Sequence, residues 1–315
     1  MPLAKPKPSE IAAEAKKTYI PYVEQKLPEY PRKSVLHVDS HSMRITPRQS
    51  NEARLRVAVI DGDPVDVALD WYEYSVKNPA AINGSLQAAK RIAVVNMANE
   101  KRAGGDWESG LIAPEECFCR RSNLVHALTT PWDPYPAYAH YPIPTKGGIY
   151  SPYVGIVTCL SIYISSELTD DAVVFRSGHE RYQVWRDFKA LPVISVAPVR
   201  RPKLDESGTQ YSFAQEKELM KEKMRTVLRI AAKWEHRELC MGPFGVGPGF
   251  RNPVKEVASM WRDILFSEAE FRGAFTNVVF AVESSQTGNA NGSLTDYDIF
   301  KQEFDPSNVF KTAYR

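Results

Sequence analysis

Four short runs constrain this chain most, because they are apolar on successive positions rather than alternate ones. They are RIAVVNMA (91–98), DAVVFRSG (171–178), PVISVAP (192–198) and NVVFAVES (277–284). A strand shows its side chains to opposite faces in turn, so a run apolar throughout has to be covered on both faces. RLRVAVIDGD (54–63) reads as another buried strand, ended by a turn at Gly62. Between these runs lie stretches of helical period. DPVDVALDWYEYSV opens with Asp63 and Pro64, a cap followed by a first-turn proline. FAQEKELMKEKMRTVLRIAAKWEHR places Leu219, Met220, Met224, Val227, Leu228 and Ala231 on one stripe. NPVKEVASMWRDILF reads as a helix with Asn252 as cap and Pro253 inside it. Strands alternating with helices predict an α/β sandwich with a mixed or parallel sheet.

No Gly/Ser-rich linker interrupts the 315 residues, which predicts one domain over 46–315. Residues 1–45 read as a helical extension. In it, SEIAAEAKKTYIPYVEQKL forms one helix that covers Tyr19, Ile20, Tyr22 and Val23 against the domain. No apolar run is long enough for a membrane helix, and the N-terminus lacks the apolar core of a signal sequence. A net charge of +2 provides no whole-protein field for nucleic acid. Cys117 and Cys119 form C-x-C without a second pair, which predicts reduced thiols rather than a zinc hook. His126, His140 and His179 have no ligand spacing, and the long Pro/Tyr stretch 131–150 reads as a loop.

Four segments carry candidate chemistry. In NMANEKRAGGD, Asn96 and Asn99 close a strand and can offer amides to hydroxyls, while Gly104 and Gly105 let backbone approach a ligand. In PEE, Glu115 and Glu116 follow a helix-start proline. Neighbouring helix positions point about 100° apart, so the two acids are not expected to flank one bond as separated glycosidase carboxylates do. One would transfer a proton and the other would hold substrate or its partner. In GPFGVGPGFRNP, the glycines at 242, 245, 247 and 249 stand between a strand and a helix, where backbone N–H groups can cradle a diphosphate. Phe244 and Phe250 there cover either a ribose or the core. In VIDGDPVDVA, Asp61 or Asp63 accepts from an adenine amino group, or Asp63 is only the helix cap.

Taken in order, VIDGD, RIAVVNMAN, AGGD, PEECFCRRS, VISVAP, LCMGPFGVGPGFRNPVKEVA and VVFAVES resemble the microbial-type poly(ADP-ribose) glycohydrolases, a branch of the macrodomain fold. The likeness is read over roughly residues 45–285. It implies a macrodomain-like three-layer α/β/α sandwich with a mixed central sheet. It also implies a glycosidase-type hydrolase that cleaves ADP-ribosyl O-linkages. Glu116 would be the acid that protonates the leaving ribose hydroxyl, and Glu115 would hold the ribose. Asn99 and Phe244 would meet the distal ribose. Gly104 and Gly105 would lie along the diphosphate, with Gly242, Gly245, Val246 and Gly247 on its other side and Phe250 beside them. Asp63 falls near the family's adenine-binding Asp. Implied partners are ADP-ribose or an ADP-ribosylated protein. The implied protein is an intracellular monomer, cytoplasmic or nuclear, that needs no metal, cofactor, membrane or direct nucleic-acid contact.

Two positions depart from the pattern: Asp106 replaces the third glycine of its triplet, and Pro114 replaces the glutamine. A carboxylate about 5 Å from a diphosphate costs on the order of a few kcal/mol at an effective dielectric near 20, unless it turns outward or meets a cation. These departures leave two alternatives open: a non-catalytic module that binds ADP-ribose, or a hydrolase of another ADP-ribose adduct.

Overall fold

The computed structural model describes residues 7–21, 33–46, 54–77, 92–132, 139–152, 172–176, 184–284 and 294–309. Its contacts divide the chain into two compact units: Met1–Val38 with Asn96–Ala197, and Asp39–Val95 with Pro198–Arg315.

The first unit contains helix α1 (Pro8–Glu14), strand β1 (Val35–His37) and the end of β3 (Ala93–Met97). Helices α3 (Pro114–Arg120) and α4 (Leu124–Thr129) and strand β4 (Gly148–Ser151) follow. A separate hairpin pairs β5 (Ala172–Arg176) with β6 (Val184–Leu191), and β7 (Val193–Val196) completes the unit. β4 lies antiparallel to both β1 and β7, with Ile149 opposite Leu36 on one side and Ser195 on the other. Beyond β3, Ala98 N–H donates to Val196 O at 3.0 Å, tying the end of that strand to β7.

α1 is shorter than the sequence suggests. Its α-helical turns stop at Glu14 and the backbone widens into a π-type turn over Ala15–Tyr19. The covered face is Ile11, Ala12 and Ala15, while Tyr19 and Ile20 are only half-buried. Tyr22 and Val23 lie outside the described residues.

The second unit has β2 (Arg56–Ile60), α2 (Pro64–Lys77) and the start of β3. It continues with α5 (Ala214–Lys233), β8 (Glu238–Met241), α6 (Val254–Ser267), β9 (Asn277–Ala281), α7 (Asp296–Glu303) and α8 (Pro306–Val309). β3, β8, β9 and β2 run parallel in that order. Register is set by pairs such as Val94 with Cys240, Cys240 with Val279 and Val59 with Phe280. Among the described residues the full strand order is β1-β4-β7-β3-β8-β9-β2, a mixed α/β fold.

β3 and β8 are buried along their whole length, as their apolar runs require. β2 is not: its burial alternates, because it is the last strand in the order and pairs only with β9. The expectation of a fully buried strand fails there, since an edge strand needs covering on fewer sides. α5 carries the predicted stripe, with Met220, Met224, Val227, Leu228 and Ala231 buried and Leu219 half-buried. Phe244, Trp261, Phe280 and Phe304 form an aromatic chain with successive centroids 5.9, 6.0 and 4.7 Å apart.

Candidate active site

Glu115 and Glu116 occupy the first turn of α3, which begins at the exposed Pro114. Proline is well placed there, because the missing N–H would have no helical partner anyway. Both acids are buried, at 4% and 7% exposure. Their carboxylates do not diverge as their neighbouring positions suggest. A β-carbon on Gly105 would collide with Glu116 Oε1 and stand 3.4 Å from Glu115 Oε2. The side chains therefore bend toward one loop. Gly105, at φ +54°, is the residue that leaves them room, and its glycine is needed for shape as well as backbone freedom.

The two carboxylates are held very differently. Glu115 Oε2 accepts from Asn99 N–H at 2.7 Å, and Glu115 Oε1 accepts from Asn96 Nδ2 at 3.3 Å. Asn96 Nδ2 also donates to Ser195 Oγ at 3.1 Å, which fixes the amide's orientation. Burial pushes the Glu115 carboxyl up to about 8, and the neighbouring Glu116 adds to the rise against the hydrogen bonds from Asn99 and Asn96. Glu116 Oε1 accepts from Asp106 N–H at 3.1 Å, while its Oε2 takes no hydrogen bond from the described residues. Both Glu115 oxygens thus have a donor, whereas one Glu116 oxygen has none among the described residues.

Asn99 turns its side chain back on its own loop, where Oδ1 accepts from Lys101 N–H at 2.9 Å and Arg102 N–H at 3.3 Å. Asp106 turns outward: its side chain is 48% exposed and pairs with Arg102 four residues earlier. The carboxylate that replaces the third glycine therefore brings its own counter-ion. Arg120, fully buried, holds the far side of this loop through Nη1 to Trp107 O at 2.8 Å and Nη2 to Leu111 O at 2.5 Å. A β-carbon on Gly104, whose φ is +70°, would stand 3.0 Å from both Trp107 and Cys119. Cys117, Cys119 and Cys240 are buried and form no disulfide among the described residues, and Cys159 lies outside them.

In the second unit, Asp63 performs the capping role, with Oδ1 accepting from Val65 N–H at 2.9 Å and Asp66 N–H at 3.2 Å. Asp61 Oδ1 accepts from Ser284 N–H at 2.9 Å, and the Ser284 hydroxyl holds this carboxyl below its usual range. The loop after β8 turns back on itself. Val246 N–H donates to Pro243 O, and Arg251 N–H donates to Gly247 O at 2.8 Å. Gly245, at φ +75°, is boxed in by Met220, Asn252 and Pro198. Gly242 is buried, whereas Gly247 and Phe250 are half-exposed. Phe244 has no exposure and meets Trp261 edge-on, so of the two readings of this ring the core one describes its place here. Asn252 does not cap α6, and Pro253 precedes the helix rather than standing in it. The Asn252 amide instead donates to Val199 O at 2.7 Å and Gly245 O at 2.8 Å, and Tyr211 Oη donates to Asn252 Oδ1 at 2.7 Å. That side chain is the brace of the glycine loop.

Sequence reading missed Ser195 and Tyr141. Ser195 reaches Asn96 across 99 positions, a separation no local pattern reveals. Tyr141 belongs to a segment pinned at His140, whose Nδ1 donates to Leu128 O at 2.8 Å, and at Ile143, whose N–H donates to Glu100 O at 2.8 Å. Burial lowers the His140 pKa, so the ring is a neutral structural donor, as a histidine without ligand spacing suggests. His179 lies outside the described residues. Among the described residues, no cluster of three or more His, Cys, Asp or Glu could hold a metal ion.

Residues 10–158 match the family described as the catalytic domain of microbial-type PARG, poly(ADP-ribose) glycohydrolase. The match begins at residue 10, within α1 and well ahead of residue 45. No curated protein matches the sequence. Among solved structures, the chain is similar to poly(ADP-ribose) glycohydrolase from Thermomonospora curvata bound to the inhibitor ADP-HPD. Identity is 20% and the TM-score 0.65, over 94% of this chain and 99% of that one. It is also similar to the Deinococcus radiodurans enzyme in complex with ADP-ribose. Here identity is 22% and the TM-score 0.59, over 89% and 97%. The chain therefore shares the fold of these bacterial structures, and its residues 10–158 are similar to the microbial-type PARG catalytic domain.

Proposed function

We propose that this protein hydrolyses the O-glycosidic bond of ADP-ribosyl conjugates, with Glu116 as acid and Glu115 positioning the ribose. The observation that carries this reading is the division between the two carboxylates. Glu115 is tied on both oxygens, while Glu116 presents an unpartnered one in the same buried turn. Burial, with the charge of Glu116 nearby adding to it, pushes Glu115 up to about 8, so this turn holds a proton near neutral pH. Protonation of a leaving oxygen needs such a proton. In the proposed step the bond from C1″ to that oxygen breaks as Glu116 delivers its proton to it. Water then adds to C1″ and returns a proton to the carboxylate. The similar bacterial enzymes were solved with ADP-ribose or ADP-HPD, which supports ADP-ribose as the ligand class.

Asn99, Gly104 and Gly105 are proposed contacts of the first unit. Asn99 would release its own loop amides to reach a ribose hydroxyl, and Gly105 would bring backbone close to the diphosphate. For the second unit, we propose separately that the backbone over Gly242–Gly249 receives a diphosphate and that the Asp63 carboxylate accepts from an adenine amino group. Three buried cysteines outside any disulfide suit a reducing interior, so we place the protein inside the cell, in cytoplasm or nucleus. The direct test is incubation with an ADP-ribosylated protein and with poly(ADP-ribose), followed by measurement of free ADP-ribose. Release is expected. Calorimetric binding of ADP-ribose without release from either substrate would replace hydrolysis with the binding-module reading.

A further inference from the structure

The first unit buries a polar atom that no described residue pairs with. The Tyr141 hydroxyl is sealed from solvent and has no hydrogen-bond partner among the described residues. Such a donor is less favourable than a paired one, and buried side-chain oxygens are nearly always paired. A phenylalanine would fill the same space without that penalty.

Tyr141 is also held in a definite place. His140 anchors the preceding position to the end of α4 through Leu128 O, at 2.8 Å. Ile143, 2% exposed, anchors the following stretch to Glu100 O, at 2.8 Å. Glu100 adjoins Asn99, whose N–H donates to Glu115 Oε2 at 2.7 Å. The tyrosine therefore stands on the segment laid against the loop that positions Glu115. Burial and then the charges of Glu115 and Cys119 drive its pKa upward, so the phenol keeps its proton and can only be a neutral donor or acceptor. Both Glu115 oxygens already have donors.

We propose that Tyr141 is a substrate contact, its hydroxyl uncovered on binding and donating to a hydroxyl or ring oxygen of the ribose held against Glu115. This assignment rests on the functional reading above. It makes Tyr141 a specificity-determining residue: the unpaired donor rejects an apolar group and selects an oxygen-bearing one.

The test uses the full chain and Tyr141→Phe, with ADP-ribose as the calorimetric probe and a thermal melt of each protein without ligand. The variant is expected to melt at the same temperature as the wild type or higher, because an unpaired buried donor has been removed. Its affinity for ADP-ribose is expected to fall about tenfold, the size of one hydrogen bond to substrate. Equal affinity in the two proteins overturns the assignment. So does a melt lowered by several degrees, which would show that the hydroxyl serves packing in the free protein. A wild type that neither binds ADP-ribose nor releases it from conjugates overturns both this assignment and the functional reading. A wild type that does both, matched by Tyr141→Phe, overturns the tyrosine alone.

Discussion

At the scale of single residues, the site is organised by what fills the space around two carboxylates. Gly105 is the tightest point: its φ is +54°, and any β-carbon meets Glu116. Gly105→Ala is expected to cost about 1–3 kcal/mol of stability from strained backbone alone. It is also expected to lower turnover at least tenfold, because Glu116 has to move to make room. A variant with wild-type melting and wild-type turnover would show that the loop yields freely. Asp106 illustrates how a residue that looks unfavourable in sequence is accommodated. Its charge is answered by Arg102, and both side chains are about half-exposed. The pair stands four residues apart, so the counter-ion was legible in KRAGGD, though its use was not. The partners of Asn96 were not legible at all. Nothing within a few positions of it points to Ser195.

At the scale of elements, the long and strongly patterned pieces were readable. Asp63 and Pro64 start α2 as the sequence suggests, and α5 buries the stripe its period lays out. The apolar runs at 93–97 and 277–281 are strands. Short elements escaped, because β1 and β4 have three and four residues and no pattern can be read over so few. Asn252 shows a different limit. A cap residue before a helix is the ordinary reading, but three tertiary partners claim its side chain first. Arg120 belongs to the same scale, since one side chain joins α3 to the loop over residues 107–111. Arg120→Met is expected to cost about 2–4 kcal/mol, because it strands carbonyls that a buried guanidinium had paired. Amide hydrogen exchange over that loop should quicken by at least tenfold. Unchanged exchange there would mean that the loop holds itself.

At the scale of the whole molecule, the α/β class follows from runs that need cover on both faces, whereas the strand order does not. Parallel pairing of β2 with β9 joins residues more than two hundred positions apart, and only the tertiary fold decides it. The buried Glu115 also acts at this scale, through linkage. Its carboxyl is raised from 4.5 to about 8 in the folded protein, so the native state binds a proton that the unfolded chain releases. Stability from this group is complete below pH 4.5 and is lost as pH rises toward 8. His140, lowered by burial, acts in the opposite direction below pH 6.5, and the acids lowered by ion pairs, Glu222 and Glu270, act below about pH 4.5. A comparison between wild type and Glu115→Gln isolates the glutamate. The melting temperature of the variant relative to wild type should rise steadily from pH 5 to pH 8.5. A constant difference across that range would mean that Glu115 titrates normally.

If the open oxygen of Glu116 delivers a proton to a departing ribose oxygen, the rate of ADP-ribose release depends on that carboxyl. The comparison is between wild type and Glu116→Gln on the same ADP-ribosylated protein, with ADP-ribose binding measured alongside. The account predicts that release falls by about 10²–10⁴-fold in the variant, the usual weight of a general acid, while ADP-ribose still binds. Equal release by the two proteins would contradict it.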